Sequence, residues 1–161
     1  MPERDEERMR ERLATRFPGA VEAGPPPFVA EAIALVVRLL GGEKVDLAGI
    51  PVEPEGASEL ERKVYEAARR IPCGEVRTYG EVAREIGAPG AAQAVGAALA
   101  RNPIPIVVPC HRVLASGGRS GGFSAPGGID TKFRMLEIEG ARRADEAGLF
   151  DALPLAVKPR A

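Results

Sequence analysis

The placement of proline and glycine constrains this chain more than any other feature, because each breaker limits how far a helix or strand can run. Fifteen prolines and nineteen glycines among 161 residues leave only short uninterrupted segments. Pro25, Pro26 and Pro27 end a charged opening segment, and residues 28–40 follow with Val29, Ile33, Val36, Val37 and Leu40 on one face of a helix that Gly41 and Gly42 stop. Ahead of the prolines, residues 3–17 alternate charges around Met9, Leu13 and Phe17, a row spaced i, i+4 that suits a short amphipathic helix. Residues 43–56 carry Pro51, Pro54 and Gly56 and read as an extended linker, which places a boundary near residue 56.

Two capping boxes organise the next stretch. Ser58 with Glu61 opens a helix whose apolar face is Leu60, Val64, Ala67, Ala68 and Ile71, ended by Pro72. Thr78 with Glu81 opens a shorter one bearing Val82, Ala83 and Ile86 and stopped by Gly87. After a turn through Pro89 and Gly90, residues 91–101 form an alanine- and glycine-rich helix, so the pair is expected to make a helix-turn-helix. Residues 104–108, bounded by Pro103 and Pro109, are too short for a helix and rich in β-branched side chains, and are expected as a buried extended segment. Residues 117–128 form a glycine-rich loop around Phe123 and Ser124, and a last helix is expected from an Asp130 cap to Glu139 with Gly140 as its stop. The fold class is α/β, mostly α, with no internal repeat.

Length and composition fit one ordinary domain or two small ones, and no stretch approaches the roughly 18 apolar residues of a membrane span. No signal peptide is legible, so a cytoplasmic address without membrane attachment is expected. Two cysteines, Cys73 and Cys110, and the single histidine, His111, cannot supply a four-ligand structural zinc site; neither a metal nor a cofactor is expected. The net charge of -1 conceals an asymmetry: residues 58–143 carry 13 Lys/Arg against 9 Asp/Glu, while residues 1–57 carry 7 against 11. The basic middle is a mild footprint for a polyanion.

The chemistry concentrates where an apolar run ends at Pro109-Cys-His-Arg-Val113. A free thiol is mostly protonated at neutral pH, so a reactive cysteine needs a base or cation beside it, and the only histidine follows Cys110 directly. Adjacency alone proves little; the surrounding motifs carry more. Ile71-Pro-Cys-Gly-Glu-Val, Thr78-Tyr-Gly-Glu-Val-Ala, Ala94-Val-Gly, Arg101-Asn-Pro, Pro109-Cys-His-Arg-Val, Gly122-Phe-Ser and Ile138-Glu-Gly stand in one order across about residues 58–140. In these motifs the chain resembles the O6-alkylguanine-DNA alkyltransferase family.

The resemblance implies direct reversal of DNA alkylation, with the alkyl group of O6-alkylguanine, and of O4-alkylthymine as a second substrate, moved irreversibly to Cys110. It implies that Glu139 orients His111, that His111 removes the thiol proton through a water, and that Tyr79 donates a hydrogen bond to the departing base. Val113 and Ser124 would contact the base through their backbones and Phe123 would wall the pocket, while Asn102 would tie the turn after the DNA-binding helix to the active-site segment. The partner implied is double-stranded DNA carrying alkylated guanine, its damaged base flipped through the minor groove, with Thr78, Ala91, Gln93, Ala94, Gly96, Arg101 and Arg112 as contacts.

The pattern is broken in places. Gln93 stands where the family usually has an arginine that fills the vacated stack, and Phe123 where it usually has a tyrosine. Family members normally begin with a small sheet, whereas this chain enters the pattern near Arg16-Phe-Pro-Gly-Ala20. The expected organisation is therefore a reduced N-terminal region (1–56) lacking that sheet, an alkyltransferase domain (57–143) and a tail (144–161). The apolar face of helix 28–40 then needs another cover: the 3–17 segment, the tail, or a second copy in a homodimer. The alternative function is a non-catalytic sensor of alkylguanine that recruits other repair factors, and a Cys-His hydrolase is a third; Cys110 favours transfer over the first, and the helix-turn-helix disfavours the second.

Overall fold

The computed structural model describes residues 6–116 and 128–141; the glycine-rich segment with Phe123 and Ser124 and the C-terminal tail lie outside the described residues. Six helices and one two-stranded parallel sheet make up the described chain: α1 (Glu6–Arg16), α2 (Pro27–Leu40), α3 (Glu59–Arg69), β1 (Arg77–Thr78), α4 (Tyr79–Glu85), α5 (Ala92–Ala100), β2 (Val113–Leu114) and α6 (Gly128–Ile138). This is the mostly helical α/β class expected, and among the described residues no further sheet precedes α1 or α2.

Both capping boxes form. The Ser58 hydroxyl accepts the Glu61 N–H while the Glu61 carboxylate accepts the Ser58 N–H, and Thr78 and Glu81 repeat the exchange at the start of α4. Each box satisfies donors that the first helical turn would otherwise leave unpaired. The stops are equally local. Beyond α4 the Ala88 N–H reaches the Ala83 carbonyl around Gly87 at φ 76°, and beyond α6 the Ala141 N–H reaches Leu136 around Gly140 at φ 60°. Both are Schellman closures, in which glycine takes the left-handed position at no side-chain cost.

α3, α4 and α5 pack into the main core through Val64, Tyr65, Ala67, Ala68, Val82, Ala83, Val95, Ala98 and Leu99, with Val108 and Val113 beneath them. Of the face expected on α3 only Leu60 stays at the rim, 37% exposed, and its place inside is taken by Tyr65, whose hydroxyl donates to the Ala98 carbonyl. A second cluster joins Val76, Leu114, Leu136 and Ala141, and a third joins Leu39, Val45 and Leu47 to Cys73 and Ile106, seating the N-terminal region on the rest. α1 buries no residue and α2 only Leu39, so Phe28, Ile33, Val37 and Leu40 stand exposed.

Two expectations need correction. Residues 104–108 are not a buried extended segment but a tight turn: the Val108 N–H bonds the Ile104 carbonyl, Ile106 sits at φ 77°, and only Val108 of the five is buried. Prolines 103, 105 and 109 lack the N–H groups a strand ladder needs, so the β-branched run cannot sustain one. α6 starts at Gly128, two residues before the expected Asp130 cap, and Asp130 lies in its first turn, where its charge complements the helix N-terminus.

Candidate active site

The short sheet builds the site. Arg77 and Thr78 pair in parallel with Val113 and Leu114, which sets the start of α4 beside the exit of the 3-10 turn formed by Cys110, His111 and Arg112. Tyr79, the first residue of α4, therefore lies near Cys110 although 31 positions separate them in the chain.

His111 is fully buried and its Nε2 lies 2.9 Å from Glu139 Oε1. Burial lowers the imidazole pKa, so the ring is neutral at physiological pH despite the carboxylate. Burial pushes the Glu139 carboxyl up, but hydrogen bonds from His111 and Arg112 outweigh it and hold it at about 2. An ionised carboxylate only accepts, so Nε2 carries the ring proton and Nδ1 presents a lone pair; Nδ1 is buried without a hydrogen-bond partner among the described residues. A neutral imidazole with one nitrogen fixed and the other bare is equipped to take up a proton.

Cys110, which precedes His111 in the same 3-10 turn, is half-buried. Burial raises its thiol pKa, opposed by a hydrogen bond from Asn102, the charge of Lys132 and its own backbone and that of His111. Asn102 also staples the turn before the cysteine: its Nδ2 donates to the Val108 carbonyl at 2.8 Å and its Oδ1 accepts the Ile104 N–H at 2.9 Å. Those two bonds close the loop in which Ile106 holds its left-handed backbone, a conformation costly for a β-branched residue.

Two groups at the site escaped the sequence reading, and a third was placed elsewhere by it. Lys132 is 1% exposed, donates from Nζ to the Val113 carbonyl at 2.7 Å, stands 5.7 Å from the centre of the Tyr79 ring, and is lowered by burial to about 8. One lone pair of the Val113 carbonyl is thereby engaged. A signal existed: Lys132, Met135, Leu136 and Glu139 share one i, i+3, i+4, i+7 face, and two charges on an otherwise apolar face call for buried partners. Gly74 adopts φ 85° where a Cβ would come within 3.0 Å of the Glu139 carbonyl oxygen, so only glycine fits there.

The third group is Arg112, which was expected on DNA. It turns inward instead, 5% exposed, with Nε and Nη2 on the two oxygens of Glu139 and Nη1 on the Ile71 carbonyl at 2.6 Å. The physical reason is that a buried carboxylate needs a cation, and the planar guanidinium fork matches both oxygens at once.

The other residues expected at DNA sit near the surface of the helix-turn-helix. Thr78 spends its hydroxyl as the α4 cap. α5 buries Val95, Ala98 and Leu99 and presents Gln93 and Ala97 to solvent, while Ala91, Ala94 and Gly96 are half-buried, Gly96 lying over the Tyr79 ring. Arg101, exposed at the end of α5, pairs with Glu61 at 2.7 Å. Phe123 and Ser124 lie outside the described residues. Among the described residues no cluster of three or more His, Cys, Asp or Glu could hold a metal, and no helix is long and apolar enough to cross a membrane.

Comparison with known proteins matches residues 59–141 to the family described as 6-O-methylguanine DNA methyltransferase, DNA binding domain. A methylated-DNA–protein-cysteine methyltransferase of Mycolicibacterium paratuberculosis is 43% identical over 84% of this chain and 72% of its own length. One of the same description from Methanosarcina acetivorans is 47% identical over 71% of this chain and 70% of its own. Among solved structures, Mycobacterium tuberculosis OGT in complex with DNA superposes with a TM-score of 0.62 at 39% identity, covering 76% of this chain and 73% of that one.

Proposed function

The chain belongs to the 6-O-methylguanine DNA methyltransferase family, and from that premise we propose that it repairs DNA by moving the alkyl group from O6 of guanine to Sγ of Cys110. The activity class is methylated-DNA–protein-cysteine methyl transfer, and DNA is the partner. The observation that carries the assignment of roles is the bond between His111 Nε2 and Glu139 Oε1, 2.9 Å long and sealed from solvent, which leaves the other ring nitrogen bare on the residue that follows Cys110.

The thiol proton passes through a water to His111 Nδ1, and the sulfur lone pair attacks the alkyl carbon in line. The carbon–oxygen bond breaks and its electron pair stays on guanine, toward which Tyr79 donates its hydroxyl proton in a hydrogen bond. Burial keeps that phenol protonated, as a donor must be. The thioether formed is not cleaved, so each molecule acts once. Asn102 and Lys132 act on the developing thiolate, the first by a hydrogen bond and the second by its charge. Glu139 sets the tautomer of His111 and Arg112 keeps Glu139 ionised; these two are positioning residues.

The target atom lies inside a duplex, so the base is extruded, at a cost of about a few kcal/mol of unstacking. The small residues of α5 let that helix lie close to a groove floor, with Gln93 at the vacated position and Ala91, Ala94, Gly96, Thr78 and Arg101 along the backbone. The family resemblance assigns Phe123 and Ser124 to recognition of the base, with O6-alkylguanine as first substrate and O4-alkylthymine as second. The working division of the chain is 1–56, 57–143 and 144–161, and a homodimer through α2 is the alternative cover for its exposed face.

The test is intact mass after incubation with a duplex carrying O6-methylguanine. Gain of one methyl on the peptide containing Cys110, absent in Cys110→Ala, is the expected result. Tight binding with no change in mass would replace transfer by the sensor function.

A further inference from the structure

Leu40, Ile106, Met135 and Ile138, together with Asp130, Thr131 and Arg134, line a mostly apolar groove of about 640 Å³ between the end of α2 and α6. Leu40 is also the last residue of the row Ile33, Val37 and Leu40, which is 51%, 62% and 42% exposed. Groove and row thus share a residue and present apolar area of the kind that marks an interaction site. We propose that this surface is covered by residues 149–157 of the same chain, with Leu149, Phe150 and Leu153 seated in the groove.

Connectivity identifies the occupant. α6 ends at Ile138, itself a wall of the groove, and the chain turns at Gly140 and leaves at Ala141, which is packed inside. Twenty residues follow, and their composition is divided. Residues 142–148 carry Arg142, Arg143, Asp145 and Glu146, a polar spacer able to reach roughly 23 Å when extended. Residues 149–157 carry Leu149, Phe150, Leu153, Leu155 and Val157 with a single charge, Asp151. Leu149, Phe150 and Leu153 are spaced i, i+1, i+4, one face of a helical turn, and Pro154 limits that turn. A segment tethered by so short a spacer meets the groove at an effective concentration in the millimolar range, which a second copy reaches only in very concentrated solution. Docking would also brace Ile106, whose strained turn carries Asn102 on one side and leads to Cys110 on the other.

The inference is independent of the alkyl-transfer assignment and is tested without DNA. Methyl NMR spectra and amide hydrogen exchange are compared for the whole chain, a chain ended after Ala141, and the whole chain with Phe150→Asp and Leu153→Asp together. Docking predicts that the methyl signals of Leu40, Ile106, Met135 and Ile138 move in both variants. It predicts exchange along residues 33–40 and 131–138 at least about tenfold faster there, and return of the original shifts when the separate 142–161 peptide is added. Superimposable spectra in all three proteins would overturn the proposal. So would a whole chain that sediments as a dimer and shows contacts between labelled and unlabelled copies across α2, which would give the surface to a second copy.

Discussion

Arg112 holds Glu139 by two parallel hydrogen bonds, Nε to Oε2 at 2.9 Å and Nη2 to Oε1 at 2.8 Å, both sealed from solvent. Oε1 also faces His111 Nε2, so one carboxylate answers a cation on one side and fixes an imidazole on the other. The pair joins the 3-10 turn of Cys110 to the end of α6 across 27 residues of chain. Lysine cannot replace the fork.

Arg112→Lys is therefore expected to lower unfolding stability in urea by about 3 kcal/mol, the cost of leaving a buried charge poorly paired. Single-turnover transfer should slow, while affinity for undamaged duplex stays nearly unchanged. Unchanged stability together with a salt dependence of DNA binding reduced by about one phosphate contact would return Arg112 to the DNA surface.

Acid should weaken the fold through Glu139. Its native pKa of about 2 lies below its ordinary value of 4.5, so its contribution is complete above that ordinary value and is lost as pH falls through the native one. The amount is on the order of 3 kcal/mol. Urea titrations between pH 2 and 7 should show a stability slope in this window that Glu139→Gln flattens; equal slopes in both proteins would contradict the carboxylate's ionised state.

The charge of Lys132 favours the Cys110 thiolate, and burial holds the lysine itself at about 8. Lys132→Met should shift the pH profile of Cys110 alkylation by iodoacetamide to higher pH and slow methyl transfer at pH 7. A profile that does not move would show that the ammonium does not act on the Cys110 thiolate.

Gln93 is exposed on α5 and carries no charge. Gln93→Arg should tighten duplex binding and steepen the slope of log K against log salt by about 0.9, one added phosphate contact. Transfer from free O6-benzylguanine, which needs no duplex, should be unaffected; if it rises equally, position 93 acts on the chemistry and not on DNA.

Gly74→Ala would force a Cβ against the Glu139 carbonyl oxygen at a backbone angle L-residues avoid. The expected loss is about 1–3 kcal/mol by thermal or urea unfolding. The reaction of Cys110 should slow with it, because the same backbone N–H of Gly74 stands 3.5 Å from Glu139 Oε2. Wild-type stability in this variant would refute a close approach of Gly74 to the Glu139 carbonyl.

Much of this architecture was legible in the residues alone because it is settled within four or five positions of chain. The Ser58–Glu61 and Thr78–Glu81 boxes, the glycine closures after α4 and α6, and the proline limits of α2 and α3 each depend on hydrogen bonds between near neighbours. The ordered motifs around Cys110 likewise identified the family without coordinates. Tertiary structure alone decided which way the charged groups face. Arg112 reads as a surface cation until Glu139, 27 positions away, presents a buried carboxylate, and Lys132 reads as one until the Val113 carbonyl accepts it from 19 positions away. The β-branched run 104–108 reads as a strand until Asn102 closes a turn around Ile106 and, among the described residues, no neighbouring strand offers a ladder. Local hydrogen bonding is written in adjacent residues, whereas the cost of burying a charge depends on partners that only the folded chain brings into reach.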